Sequence, residues 1–262
     1  MRLTFIVALY NRETFIEAAL RSLLLQRADC ELDILVVNDG STDSGPARVE
    51  ALAARFGHIR MLSVENQGIT RTRNLGLANV ADDTDFVSFL DSDDVSPAQR
   101  ISSDLREFES DPSLQFTYGK MTFVDRIDDA ELVPAADAQV ATVRGIQLGA
   151  GIYRRQFLRS LGLFDESFEQ AEDTDFLFRA FESNAAHRLT ETNCVYYRRH
   201  PGNMTCDSTV ALKSFMRAIH RSLTRRRIDP SLRMPTDVFD LKKLVEIRST
   251  QGNGLHGHHS SL

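Results

Sequence analysis

The stretch Asp85 to Asp94 (DFVSFLDSDD) sets three carboxylates directly behind a short apolar run. Phe86, Val87, Phe89 and Leu90 suit one buried strand and are too few for an ordinary helix. Asp91, Asp93 and Asp94 at the tip of such a strand repel one another, so a cation or a hydrogen-bond network must neutralise them. In open α/β sheets the C-terminal strand ends face the ligand crevice. A hard, oxygen-seeking ion such as Mg2+ or Mn2+, bridging to a diphosphate, would satisfy this chemistry. The plain alternative is an acidic turn in which Ser96 and Pro97 open the next helix.

Other residue groups could act beside this one. Asp39, in VVNDGSTD, follows an apolar run; its carboxylate can accept the imino N–H of a pyrimidine base or bond its own turn. Arg71 and Arg73 follow a glycine at a helix start, and guanidinium groups bind phosphates bidentately. Glu172, Asp173 and Asp175 crowd a second helix start, where the macrodipole explains one or two acids and a general base would need one aimed at a cleft. His200 ends the run Arg198-Arg199-His200; a lone histidine is commonly structural, yet imidazole beside a carboxylate-bound ion is ordinary coordination. His256, His258 and His259 lie in a Gly/Ser-rich tail expected to be disordered.

The elements that must position these groups follow from hydrophobic patterning. Leu3–Leu9 reads as a strand buried on both faces, and Leu32–Val37, Ile59–Val64 and Phe86–Leu90 read as further strands, separated by helical patterns. Alternation with short links predicts a doubly wound, mostly parallel sheet, with polar groups gathered along one edge. Beyond it the spacing predicts a helix over Pro97–Ser110, antiparallel strands over Leu114–Val124 and an exposed loop over Asp125–Ala141. Short helices follow at Arg155–Leu161 and from Glu172, then a strand at Cys194–Arg198. A basic helix and a last helix near Val238–Ile247 close the pattern.

Bulk properties set limits. The 262 residues, 42% hydrophobic and 26% charged, suffice for one large or two small domains. A formal net charge of -6 argues against a general nucleic-acid binder. No run reaches the roughly 18 apolar residues of a membrane span, and the N-terminus reads as a first strand and not a signal peptide. Cys30, Cys194 and Cys206 lack the number and spacing of a disulfide framework or zinc site, so a cytoplasmic location is expected. The segment Arg217 to Arg227 suits a solvated basic face, or else peripheral contact with an anionic membrane, such as the inner face of the cell membrane.

With these residues in view, the chain resembles the inverting, GT-A-fold nucleotide-sugar glycosyltransferases of family 2. The resemblance runs over residues 3–205 through FIVALYNRETFIEAALRSLLLQ, ILVVNDGSTD, ENQGITRTRNLGL, FVSFLDSDD, GIYRRQFLRSLGLFDESF, AEDTDFLFR and YYRRH. It implies one GT-A domain over 1–205, with a nucleotide-binding half (1–95) and an acceptor half (96–205), followed by C-terminal helices and a flexible tail (206–262). By position, Leu9, Tyr10 and Asn11 would line the base pocket and Asp39 would meet a uracil edge. Arg73, with Arg71, would lie near the nucleotide, and Asp91 and Ser92 beside the donor. Asp93 and His200 would ligate Mn2+ or Mg2+. Asp173 would be the base, with Glu172, Gly149, Ala150 and Gly151 on the acceptor side. The chain departs from the family pattern at Ala8, where Pro or Thr is usual, and at Ala171, where Gly commonly precedes the Glu-Asp pair.

The implied activity is transfer of a sugar from a nucleoside diphosphate, with UDP expected, to a saccharide or lipid-linked acceptor. Two rivals are a non-catalytic sugar-nucleotide-binding module and a nucleotidyltransferase. The latter needs a Gly-rich basic loop after the first strand, and Tyr10-Asn11-Arg12-Glu13 is not one. Sugar, linkage and oligomeric state are left open by the sequence.

Overall fold

A computed structural model of the chain describes residues 1–203 and 208–252. Its centre is an eight-stranded mixed sheet. Strand β1 (Arg2–Leu9) is flanked in parallel by β2 (Glu31–Asp39) and β4 (Phe86–Phe89), and β3 (Ile59–Val64) pairs parallel with β2. Helices α1 (Ile16–Leu24), α2 (Gly45–Arg55) and α3 (Ile69–Ala78) make the crossovers. The chain thus moves outward from β1 to β3 and then returns to the other side of β1. The order reverses between β1 and β4, and their C-terminal ends flank the resulting crevice.

Alternation along β1 explains the two cores. Leu3, Phe5, Val7 and Leu9 face a cluster with Ile16, Leu20, Val36 and Leu52. Ile6 faces the other side, with Val87, Phe89, Phe116 and Phe176. A strand buried on both faces must be mostly apolar, and its one buried polar residue, Thr4, is hydrogen-bonded to Asp33 and Thr84. Helix α3 lies against this second face at Gly76, where an added Cβ would stand 2.5 Å from Ile6 Cγ2.

The second half completes the sheet. Helix α4 (Arg100–Ser110) leads to β5 (Phe116–Val124). Three short strands follow: β6 (Ile127–Asp128), β7 (Val133–Pro134) and β8 (Val140–Val143). A 3-10 turn (Leu148–Ala150) precedes β9 (Gly151–Arg154), helices α5 (Arg155–Leu161) and α6 (Glu172–Glu182), and β10 (His187–Arg198). Strand β9 runs antiparallel between β4 and β5, and β10 pairs parallel with the far edge of β5. Helix α7 (Ser208–Ile228) packs on α6 through Ala218, Phe168 and Phe178, and Val238 and Ile247 join the main core beside α8 (Leu241–Gly252). The C-terminal helices therefore share the sheet's hydrophobic core.

Several expectations are corrected. Helix α4 starts at Arg100, not Pro97, because Gln99 takes φ 66° and Ser96 is drawn inward, its N–H donating to Ser22 Oγ. The 125–141 segment is folded: β6 pairs with β7, and Ile127 and Leu132 bury against Ala18, Val95 and Val124. Its two apolar anchors were hidden among acidic and alanine residues. Leu114–Val124 contributes one strand with a parallel and two antiparallel neighbours. The last helix begins at Leu241. Cys206 and the histidine-bearing tail lie outside the described residues.

Candidate active site

The crevice is built around the turn that follows β4. Asp91, Asp93 and Asp94 do converge there, and the described residues surround them with donors. Asp94 is buried; its Oδ1 accepts from the Arg198 backbone N–H at 3.0 Å and its Oδ2 from Gln147 Nε2 at 3.2 Å. Burial, with the neighbouring charges of Asp93 and Asp91, holds the Asp94 carboxyl well above the usual range. A pair of backbone bonds between Val95 and Tyr196 fastens the same turn to β10.

Asp91 is the turn's link to α3. Its Oδ1 accepts from Arg73 Nη2 at 2.7 Å and its Oδ2 from Gln147 Nε2 at 3.2 Å. The buried Arg73 also pairs through Nη1 with Glu172 at the start of α6. One guanidinium thus ties three elements, as its planar fork allows. Burial pushes Glu172 up to about 7 against the pull of Arg73.

Asp173 is beside this pair and keeps part of its surface exposed, whereas Glu172 is buried. Its Oδ1 accepts from Thr174 N–H at 2.6 Å and Thr174 Oγ1 at 3.2 Å, so the helix start fixes the carboxylate. Burial raises its pKa, Arg73 opposes this and Asp91 adds to it. Ala171, just before α6, sits in the left-handed region at φ 63°. A glycine takes that conformation without a Cβ penalty.

Asp93 faces the other way, toward β1 and β10. Its Oδ2 lies 3.1 Å from both Arg12 Nε and His200 Nε2. Burial alone would raise its pKa, yet His200 and Arg12 together bring it below the usual carboxylate value. The Phe15 ring stacks near His200 with centroids 4.7 Å apart, and the Arg198 guanidinium lies over the same ring. Asp93 and His200 are the residues that could offer an oxygen and a nitrogen to a divalent ion such as Mn2+ or Mg2+. Among the described residues no third His, Cys, Asp or Glu joins them.

The base-pocket candidates lie at the ends of β1 and β2. Leu9 is buried and Tyr10 is exposed. Asn11, at φ 49°, accepts from Thr42 N–H at 2.8 Å and donates its own N–H to Ser41 Oγ, locking two loops together. Asp39 is buried, and its oxygens accept from the N–H groups of Gln67 (2.8 Å) and Gly68 (3.0 Å). Asn66 Nδ2 donates to Oδ2 as well, at 3.3 Å; a carboxylate has about four lone-pair sites, so these three donors fix Asp39 and leave it capacity for one more.

Other candidates fall elsewhere. Arg71 points outward to Glu166 at 3.1 Å, two residues from the inward-facing Arg73 on the same helix. Ser92 is buried. Gly149, Ala150 and Gly151 are buried too; a Cβ on Gly149 would meet Val195 at 3.0 Å and the Phe89 carbonyl at 3.1 Å. Their contribution is close packing behind the acidic turn. Sequence reasoning missed Arg12, Gln147 and Arg198. Arg198 lay inside a recognised block, but nothing in spacing marked Gln147.

Comparison with known proteins accords with this geometry. Residues 4–144 match the model of the family described as glycosyl transferase family 2. The chain is 24% identical over 208 residues to the minor teichoic acid biosynthesis protein GgaA of Bacillus subtilis, and 30% over 217 residues to EpsJ of the same organism, an uncharacterized glycosyltransferase. These alignments take in 75% and 77% of this chain but 47% and 62% of the relatives, so the chain spans about half to three-fifths of their length. Its fold is that of residues 1–349 of Staphylococcus aureus TarS, solved in complex with UDP-GlcNAc: TM-score 0.68, 22% identity, 86% of this chain and 66% of that one. The mannosyltransferase PcManGT from Pyrobaculum calidifontis, in complex with GDP-Man and Mn2+, gives a TM-score of 0.64 at 17% identity over 85% of this chain and 64% of its own. By its sequence, the chain belongs to glycosyl transferase family 2.

Proposed function

We propose that the chain is an inverting, divalent-metal-dependent glycosyltransferase that moves a sugar from a UDP-sugar to a saccharide or lipid-linked acceptor hydroxyl. The observation that carries this is the meeting of Arg73, Asp91, Asp93, His200 and Asp173 where strand order reverses. Uridine suits the pocket because Asp39, fixed by Gln67, Gly68 and Asn66, can accept the imino N–H of the base in its remaining capacity. TarS, bound to UDP-GlcNAc, and relatives named for teichoic acid synthesis support the substrate class.

Asp93 and His200 would hold the divalent ion. When bound, it would neutralise charge growing on the departing diphosphate. Arg73 supplies fixed positive charge beside the same region, held in place by Asp91 and Glu172, so little reorganisation is needed as the bond breaks. Asp173 takes the acceptor proton. Its pKa, raised by burial, makes it a better base than an ordinary carboxylate. Attack from the side opposite the leaving group inverts the anomeric carbon.

The non-catalytic reading lacks an equal argument, because a pure binding module has no need of a partly exposed carboxylate that the α6 start fixes beside Arg73. The test is Asp173→Asn, with UDP release and UDP binding measured in parallel. Transfer should vanish while binding persists; near-normal turnover would refute the base assignment. Failure of wild type to release UDP from any of a panel of UDP-sugars would refute the donor.

A further inference from the structure

One oxygen, Asp93 Oδ2, is shared by two partners. Arg12 Nε and His200 Nε2 both lie 3.1 Å from it. Arg12 also donates from Nη2 to the Gly202 carbonyl at 2.8 Å and from Nη1 to the Asn11 carbonyl at 3.1 Å. The Gly202 N–H in turn donates to His200 Nδ1 at 3.1 Å. A single side chain from the β1–α1 loop therefore holds both the carboxylate and the turn that orients the imidazole.

This arrangement conflicts with cation binding in two ways. A divalent ion on Asp93 Oδ2 would share that oxygen with a permanent monovalent cation, and like charges in a partly buried site repel strongly. The Gly202 N–H directed at Nδ1 also leaves the neutral ring's proton on Nε2, facing Asp93, where a metal ligand must present a lone pair. Both conflicts end if Arg12 releases Asp93 and Gly202 together. A guanidinium needs an anionic partner to make that exchange favourable, and a diphosphate offers paired oxygens that match its fork. Arg12 stands at the C-terminal end of β1, on the crevice where strand order reverses.

We propose that Arg12 is a diphosphate ligand that latches the metal pair: its guanidinium passes from Asp93 and the Gly202 turn to the incoming diphosphate, and that transfer opens Asp93 and His200 to the divalent ion. This rests on the donor and ion assignments above. Metal and nucleotide then bind as a coupled pair, each favouring the other. The exchange moves hydrogen bonds, and once the Gly202 N–H leaves Nδ1 the imidazole proton passes through solvent from Nε2 to Nδ1; one N–H bond breaks as the other forms, and no other covalent bond changes.

Titration calorimetry with MnCl2 alone, and with UDP or GDP in the presence and absence of Mn2+, tests this on wild type, Arg12→Gln and Arg12→Lys. Thermal melts confirm that each variant is folded. Losing the latch should give opposite effects: Arg12→Gln binds Mn2+ alone about threefold or more tighter, yet binds nucleotide with Mn2+ about tenfold or more weaker. Arg12→Lys, which keeps the charge, should hold nucleotide affinity between the two. Weakening of both affinities in Arg12→Gln would mean a structural loop clamp and would overturn the latch, as would no change in either. Failure of the underlying donor reading looks different: wild type itself would then bind neither nucleotide, with or without Mn2+.

Discussion

Arg73 Nη2 and Asp91 Oδ1 lie 2.7 Å apart, and this bond joins helix α3 to the acidic turn after β4. Both arms of the guanidinium are used, since Nη1 holds Glu172. An ammonium is a point charge and cannot span the two carboxylates with the same fork. Arg73→Lys should therefore cost about 1–3 kcal/mol of stability, at the low end of breaking a buried pair because one partner is kept. Catalytic efficiency should drop about 10- to 100-fold through misplaced charge. Urea melts and UDP-release kinetics check the two effects; a variant matching wild type in both would remove Arg73 from the account.

The base should leave a signature in pH. Burial raises the Asp173 pKa in the folded chain. The reactive form is the carboxylate, so activity is full above that pKa and lost as pH falls through it. The acid limb of kcat/KM should therefore stand above the ordinary carboxylate pKa of about 4. A profile flat down to the ordinary range, at pH values where melts show the protein folded, would contradict an Asp173 base.

Much of this fold was legible because a strand buried on both faces is mostly apolar. Leu3–Leu9 shows this, with Thr4 its one polar residue, and so does the abrupt change to Asp91. The 125–141 segment was not legible: Ile127 and Leu132 are single apolar residues whose burial depends on α1 and β5, far away in sequence. Site residues split the same way. Asp93 and Asp173 stand in recognisable acidic strings, whereas Gln147 matters only because the 3-10 turn brings it under two carboxylates 53 and 56 positions away. Arg73, followed by Asn74 and Leu75, is the more buried-looking of the two arginines in sequence, and the helix phase does send it inward and Arg71 outward to Glu166.

Ala171 explains one departure from the family pattern and yields a stability test. Its left-handed φ of 63° is costly for a residue with a Cβ. Ala171→Gly removes that strain but gives the unfolded chain more freedom. Because the native φ is positive, strain relief should prevail, giving a gain of up to about 1 kcal/mol. Thermal melts decide the sign; a destabilised variant would mean that the Ala171 methyl packs usefully.

Gly76 tests the contact between α3 and β1. Ala is the better helix former by roughly 1 kcal/mol, yet the new methyl would meet Ile6 Cγ2 at 2.5 Å. Ile6 is a buried core side chain with little room to retreat. Overpacking of about 1–3 kcal/mol should outweigh the propensity gain, so Gly76→Ala should lower stability. Because α3 carries Arg73, nucleotide affinity should fall with it; a stabilised variant would show that the helix can move away from β1 without loss.

Gln147 gives the sharpest pH test. Its Nε2 donates to Asp91 Oδ2 and Asp94 Oδ2, both at 3.2 Å. Gln147→Glu replaces that donor with a third acid of nearly the same shape. Buried beside two carboxylates, the new Glu would have a folded pKa above its unfolded value of about 4.3. The folded state then binds more protons than the unfolded state between those two values. Stability relative to wild type must therefore fall as pH rises through that window and recover on acidification. At neutral pH the loss should reach about 1–3 kcal/mol, the cost of an unsatisfied buried group. Paired urea titrations of wild type and variant at acidic and neutral pH measure the difference directly. An equal loss at both would show that the new charge is not what destabilises the turn, and a loss confined to neutral pH that the Gln147 amide holds the acidic turn together.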